Sequence, residues 1–357
     1  MITSRQRIEA AFNHRTPDRT PWFEYVLLSP VADELLGRPY ALDPGHWPDA
    51  LDELGWEGAV RRTVIDRLDL ACLLGHDLLY VPPNPLPGRR DVALHMPPAI
   101  ASPDPVEAVK RRNQERAAHQ ALPDDRSLLV YQMLRQEMTR RGLDLPVLAP
   151  ACAHGIWTDV DLLIAMRLAP EVARAHFRLV TQRALHRIER YLELGIDLIS
   201  VGGDFAGNRP LISPADYAAF IVPEVRFCSQ RIHQAGRRAV NASDGNLWSV
   251  MDDFLLGCQV DGYLEIDYHA GMDMARLKKA YGNRITLIGN LDCGNVLSLG
   301  SPAEVRQHVL DCIEAGWGNG GHVLSASNAI TASVPLRNYI ALAAAYRERF
   351  GLPRLDL

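Results

Sequence analysis

The chain has 357 residues, 47% of them hydrophobic, which is enough apolar surface for a large core in one barrel with insertions or in two ordinary domains. A net charge of −5 with both signs interspersed leaves no basic stripe for a phosphate backbone and no polybasic patch, so nucleic acid and membrane are not expected partners. No apolar run is long enough to cross a bilayer, no charged-then-apolar leader opens the chain, and the six cysteines form no C-x-x-C pair. A cytoplasmic protein with reduced, mostly buried thiols is expected.

In chain order, Met1–Asn13 reads as an amphipathic helix within an N-terminal segment 1–19, capped by Thr3 or Ser4 and burying Ile8, Ala11 and Phe12. Apolar runs at Thr20–Val26 and Asp77–Val81 read as strands one and two. Residues 84–145 break the rhythm with prolines, a charged stretch around Lys110–Arg116 and a helix ending near Arg141. They are expected to form an elaborated connection, an insertion or lid over the mouth of the fold. From there strands alternate with helices: Pro146–Ala151, Asp197–Val201, Arg238–Ala242, Gly262–Ile266, Ile285–Ile288 and His322–Ser325.

The helices between them carry their own punctuation. Pro170 opens one that buries Phe177, Val180, Ala184, Ile188 and Tyr191, and Ser213-Pro214 opens another. Ser301-Pro302-Ala303-Glu304 is a capping box before Val305, Val309, Cys312 and Ile313. The glycine-rich run Gly316–Gly321 precedes a strand, the wrong side for a phosphate loop, and reads as a tight turn. Eight strands in this rhythm predict an α/β fold: a (β/α)8 TIM barrel, one domain over 1–357, with its elaboration between strands two and three.

In such a barrel the polar residues that end the strands face the ligand. Those residues are Glu24 and Tyr25, His76 and Asp77, His154, Asp204, Asn241 and Asp244, Glu265 and Asp267, Asn290 and Asp292, and Asn328. A lone acid at a strand end is more often a helix cap or loop anchor than a catalyst, and His176 and His186 sit within a helix as ordinary core-edge or surface residues. Asp77, Asp204 and Asp244 stand out because polar residues or glycines beside them permit close approach.

Several segments resemble the uroporphyrinogen decarboxylase superfamily, which includes corrinoid-dependent methyltransferases. They are Arg15–Pro21, Gly75–Leu79, Gly202–Asp204 leading to Ser213-Pro214, Ser243–Asn246, Ile288–Asp292 and Gly320–Ser325, matched in order and spacing over nearly the whole chain. The decarboxylase pattern implies a strand-two aspartate that gathers pyrrole N–H groups, matched by Asp77, with arginines near the N-terminus for the carboxylates of the substrate. Here the arginine-rich segment is missing after Trp22, the tyrosine position falls near Ile156 and the histidine position on Asn328. The methyltransferase pattern implies a zinc-held thiol, but its ligand positions carry Ala242, Asp244 and Asn328, a poor set for zinc.

The resemblance therefore implies a cofactor-free lyase of the decarboxylase type, or a methyl-group transferase, acting on a small or medium organic substrate. In that reading Asp77 and Asp204 position N–H or hydroxyl donors, and Asp244 with His154 moves a proton. Tyr25, Asn241, Glu265, Asn290 and Asn328 bind substrate. Zinc is not expected, and a harder ion would fall to Asp204, Asp244 and Glu265. The resemblance also implies a homodimer and allows a corrinoid protein as partner. The competing reading is a non-catalytic barrel that binds a corrinoid, a porphyrin or a partner protein.

Overall fold

The computed structural model describes residues 2–91, 100–118, 124–151 and 154–355. By internal contacts the chain divides into two compact units. The first comprises Met1–Ala93, Asp125–Leu148 and Leu264–Leu357, and the second Leu94–Asp124 and Ala149–Tyr263. Among the described residues no helix is long and apolar enough to cross a membrane.

Seven short strands follow the expected alternation: β1 Leu79–Tyr80, β2 Val147–Pro150, β3 Leu198–Ser200, β4 Arg238–Ala242, β5 Gly262–Leu264, β6 Thr286–Ile288 and β7 His322–Val323. Strand order is chain order. Within the first unit Leu79 and Tyr80 pair with Val147 and Leu148, and Leu287 and Ile288 with His322 and Val323, all in parallel. Within the second, Leu198, Ile199 and Ser200 pair with Arg238, Ala239 and Val240. β3, β5 and β6 are buried along their whole length, the signature of parallel strands covered on both faces.

The predicted first strand, Thr20–Val26, is reduced to two isolated parallel bridges, Trp22 with Leu324 and Leu27 with Ile330. Carboxylate side chains take backbone donors on and beside this segment. The Trp22 N–H donates to Asp77 Oδ2 at 3.2 Å, and the Ala326 N–H donates to Glu24 Oε2 at 3.2 Å, so carboxylates take amides that a ladder would use. Pro21 supplies no N–H, and its carbonyl accepts from Leu324 instead.

Predicted helix starts hold. Thr3 caps the helix Ser4–Phe12 in a reciprocal capping box with Gln6, and Ser301 does the same with Glu304 ahead of Pro302–Gly316. The helix from Pro170 ends at Glu193 and buries Phe177, Ala184, Ile188 and Tyr191. One long helix, Trp47–Leu74, falls in a stretch where no element is read from sequence; Gly55, at φ 68°, interrupts it.

The predicted elaboration holds two helices, and part of it, 92–99 and 119–123, lies outside the described residues. Pro105–Ala118 packs against Val160–Leu168 and Pro170–Glu193 in the second unit, and Leu129–Arg141 packs against Trp47–Leu74 in the first. Each helix thus serves the packing of its own unit.

Asp77 ties the first unit together from just before β1. Both of its oxygens are occupied: Oδ1 by Ser4 Oγ and Arg19 Nη2 at 2.9 Å and by Arg7 Nη1, and Oδ2 by Arg19 Nη1 at 2.8 Å and the Trp22 amide. Asp77→Asn leaves two largely buried guanidinium groups short of their counter-charge. It is expected to cost about 3–5 kcal/mol in equilibrium denaturation at neutral pH; a loss below about 1 kcal/mol would show that the cluster does not anchor the fold.

Candidate functional site

In the first unit a cleft runs between the segment Glu24–Leu28, the helix Trp47–Leu74 and β1, with about 590 Å³ of empty space including its open mouth. Most of its wall is apolar. Five polar groups interrupt that wall: Glu24, His76, Arg67 and the phenols of Tyr25 and Tyr80.

Glu24 is buried, and its hydrogen-bond donors are all neutral: Trp22 Nε1 at 3.2 Å and Tyr339 Oη at 3.4 Å on Oε1, and the Ala326 amide on Oε2. No cation answers its charge among the described residues. Burial therefore pushes its pKa up to about 7, against the pull of those three hydrogen bonds. Trp22 links the two carboxyl groups of this region, since its backbone N–H serves Asp77 and its indole N–H serves Glu24.

His76 packs edge-on against the Trp22 ring, with ring centroids 4.9 Å apart. Burial first, and then the nearby Arg19 charge, lower its pKa to about 3, so the ring is neutral, and its Nε2 has no hydrogen-bond partner among the described residues. Arg67 donates from Nη1 to the Tyr80 carbonyl at 2.7 Å, while its buried Nε has no partner.

The rings of Tyr25 and Tyr80 lie 4.4 Å apart. Tyr25 hydrogen-bonds both Glu265 and Tyr80 through its phenol, and burial, with the Glu265 charge behind it, pushes that phenol well above its ordinary range. Burial raises the Tyr80 phenol to about 12. Glu265 follows β5 with φ 65°, a left-handed conformation that costs a bulky residue about 1–3 kcal/mol and that clusters at functional sites. Tyr25 and Glu265, both predicted to bind substrate, thus stand together.

The other candidates of this unit are held elsewhere. The N–H and hydroxyl donors gathered by Asp77 are the protein's own, and it lies ahead of β1, not past its carboxyl end. Asn290 is buried, donating from Nδ2 to the Met272 carbonyl at 2.9 Å. Asn328 is half-buried and accepts the Ala329 amide at 2.6 Å on Oδ1.

In the second unit Asp204 and Asp244 do meet, through backbone: Asp204 Oδ1 accepts the Asp244 amide at 3.0 Å. The glycines beside Asp204 make room for close approach of neighbouring backbone. A Cβ on Gly202 would stand 2.2 Å from the Ala242 carbonyl oxygen, and one on Gly203 2.4 Å from the Gly155 nitrogen. His154 is buried with Nε2 on Thr181 Oγ1 at 2.9 Å and Nδ1 unpartnered among the described residues, and burial lowers its pKa to about 4. Asn241 donates to the Phe254 carbonyl at 2.9 Å. Among the described residues no group of three or more His, Cys, Asp or Glu is arranged to hold a metal ion.

Four polar residues of the cleft, Glu24, His76, Arg67 and Tyr80, lie outside the set given a role from sequence. Glu24 was visible as a polar residue at the end of a strand, beside Tyr25, but nothing local marks it as unpaired. Arg67 gives no local signal, because its helix carries no clear apolar period in the sequence.

Comparison with known proteins places the chain. Residues 158–349, more than half of it, match the family model described as uroporphyrinogen decarboxylase (URO-D). A uroporphyrinogen decarboxylase of Gloeobacter violaceus is 28% identical over 152 residues, 41% of this chain and 40% of that one, so the match spans about two fifths of the relative's length. One of Coxiella burnetii is 22% identical over 292 residues, 76% of this chain and 75% of that one. Among solved structures, a methyltransferase from Methanosarcina mazei shares the fold with a TM-score of 0.70, at 18% identity over 98% of this chain and 100% of that chain. The chain belongs to the uroporphyrinogen decarboxylase family.

Proposed function

We propose that the chain is a lyase of the decarboxylating type whose chemistry runs in the cleft of the first unit, with Glu24 as the proton donor. The fold is read as a (β/α)8 barrel in which the bridged segment Thr20–Leu27 is the first strand. The observation that carries the reading is Glu24 itself: a buried acid facing a cleft, bonded by neutral donors alone, with a pKa of about 7. A general acid works best when its pKa lies near the working pH. The cleft residues precede the segment that matches the family model, so this assignment stands on geometry and electrostatics.

Loss of CO2 breaks a C–C bond and leaves the electron pair on carbon. That pair takes the proton of Glu24 to form a C–H bond, and the Glu24 carboxylate then recovers a proton from water, so one proton is consumed for each CO2 released. The apolar wall favours the departing neutral CO2 over the carboxylate that precedes it. The Tyr25 phenol, fixed between Glu265 and Tyr80, is placed to hold a polar group of the substrate. Methyl transfer through a zinc-held thiol lacks support, because the positions that would carry the ligands are Ala242, Asp244 and Asn328.

Two outcomes check this. With small dicarboxylic acids in D2O, turnover should yield CO2 and a product carrying one deuteron at the reacting carbon, and Glu24→Gln should slow it by about 10²–10⁴-fold; a variant as fast as the parent contradicts the assignment. The second readout needs no substrate. Because the folded-state pKa of Glu24 is raised from 4.5 to about 7, its contribution to stability is greatest below that window. It falls as pH rises through the window, by on the order of 3 kcal/mol in all. Urea midpoints measured at pH 5 and pH 8 should therefore fall less in Glu24→Gln than in the parent, and parallel curves would contradict a protonated Glu24.

A further inference from the structure

We propose that Arg67 is the anchor for a carboxylate on the substrate, so that the cleft takes an organic acid with a compact apolar body, held by one anionic group that does not react. This rests on the reading of the same cleft as the reaction site.

Arg7, Arg38 and Arg141 each meet one or more carboxylates. Arg67 is half-buried in the cleft wall and, among the described residues, has no ion pair and a single hydrogen bond, to the Tyr80 carbonyl. A guanidinium carries five N–H donors in a fork that matches a carboxylate, and desolvating one without a counter-charge is unfavourable. The acid that shares the cleft, Glu24, does not answer it, since it is largely protonated below about pH 7. The cleft thus holds one cation with unused donors, and the anion that would complete it must come from outside.

The rest of the wall sets the body of that ligand. Leu27, Leu42, Leu70 and Leu78, with the rings of Tyr40 and Tyr80, leave room for one aromatic ring or a short aliphatic chain. A single cation also argues against a substrate with many carboxylates, which needs several fixed positive partners. If Arg67 held the reacting carboxylate it would stabilise the ground state and slow CO2 loss, so the anchor and the reacting group are separate. A compound that keeps only the anchor resembles the product and should bind.

The test is calorimetric titration of the intact protein with phenylacetate against phenylacetamide, and hexanoate against hexanamide. The parent should bind each acid about tenfold or more tightly than its amide, and Arg67→Met should reduce that contrast to about twofold or less. Equal binding of acid and amide by the parent, or a contrast that survives in Arg67→Met, overturns the proposal. A second measurement does not depend on the variant folding: phenylacetate, and not phenylacetamide, should slow modification of Arg67 by phenylglyoxal, read by peptide mass spectrometry. Equal modification with both ligands also overturns it. The outcomes separate the two readings: an acid preference with turnover indifferent to Glu24 sinks the proton-donor role alone, whereas Glu24-dependent turnover without an acid preference sinks the anchor alone.

Discussion

A carboxyl group can be buried with cations around it or buried as an acid, and the first unit does both on either side of one tryptophan. Asp77 holds Arg7 and Arg19, a serine hydroxyl and the Trp22 amide, so every oxygen is answered and the group serves the fold. Glu24, on the indole side of the same residue, has neutral donors only. Because the nearby arginines are committed to Asp77, the burial of Glu24 becomes a raised pKa rather than an ion pair. The functional reading follows from that division of charge.

The same economy of cations explains the cleft. Its walls are leucines and tyrosines, its histidine is held neutral by burial, and its one guanidinium lacks a counter-charge among the described residues. Tyr25 is fixed from both sides, by Glu265 and by Tyr80, and Glu265 accepts an unfavourable backbone conformation after β5 while holding it. Strain of that kind persists only where surrounding contacts over-determine it. The result is a compartment with an acid, a phenol and a cation at fixed positions in an otherwise apolar setting.

Much of the fold is legible in the sequence, because its signals are local. Pro302 behind Ser301, Gln6 three residues after Thr3 and the apolar runs at 198–200 and 238–242 each declare an element within a few residues. The helix Trp47–Leu74 is hidden because it buries Thr63 and Asp66 along with its aliphatic residues, and because Gly55 interrupts it. The strand at 20–26 is legible as an apolar run, but its reduction to isolated bridges is not: the Trp22 amide goes to Asp77 and the Ala326 amide to Glu24, contacts between residues dozens or hundreds of positions apart. The site followed the same rule. Residue type and a place after a strand led to Tyr25 and Glu265, which do meet, but equally to Asn241, Asn290 and Asp204, whose side chains hold backbone groups of the protein. What separates an anchor from a catalyst is the identity of the partners, and those are set by tertiary structure.

The central claim is that Glu24 carries its proton near neutral pH. Carbon-13 NMR of the protein labelled at glutamate side-chain carboxyls, with Glu24 assigned by comparison with Glu24→Gln, reads that titration directly. The account predicts a midpoint near pH 7. A midpoint in the ordinary range of an exposed glutamate, near 4.3, would contradict it and leave the cleft without its acid.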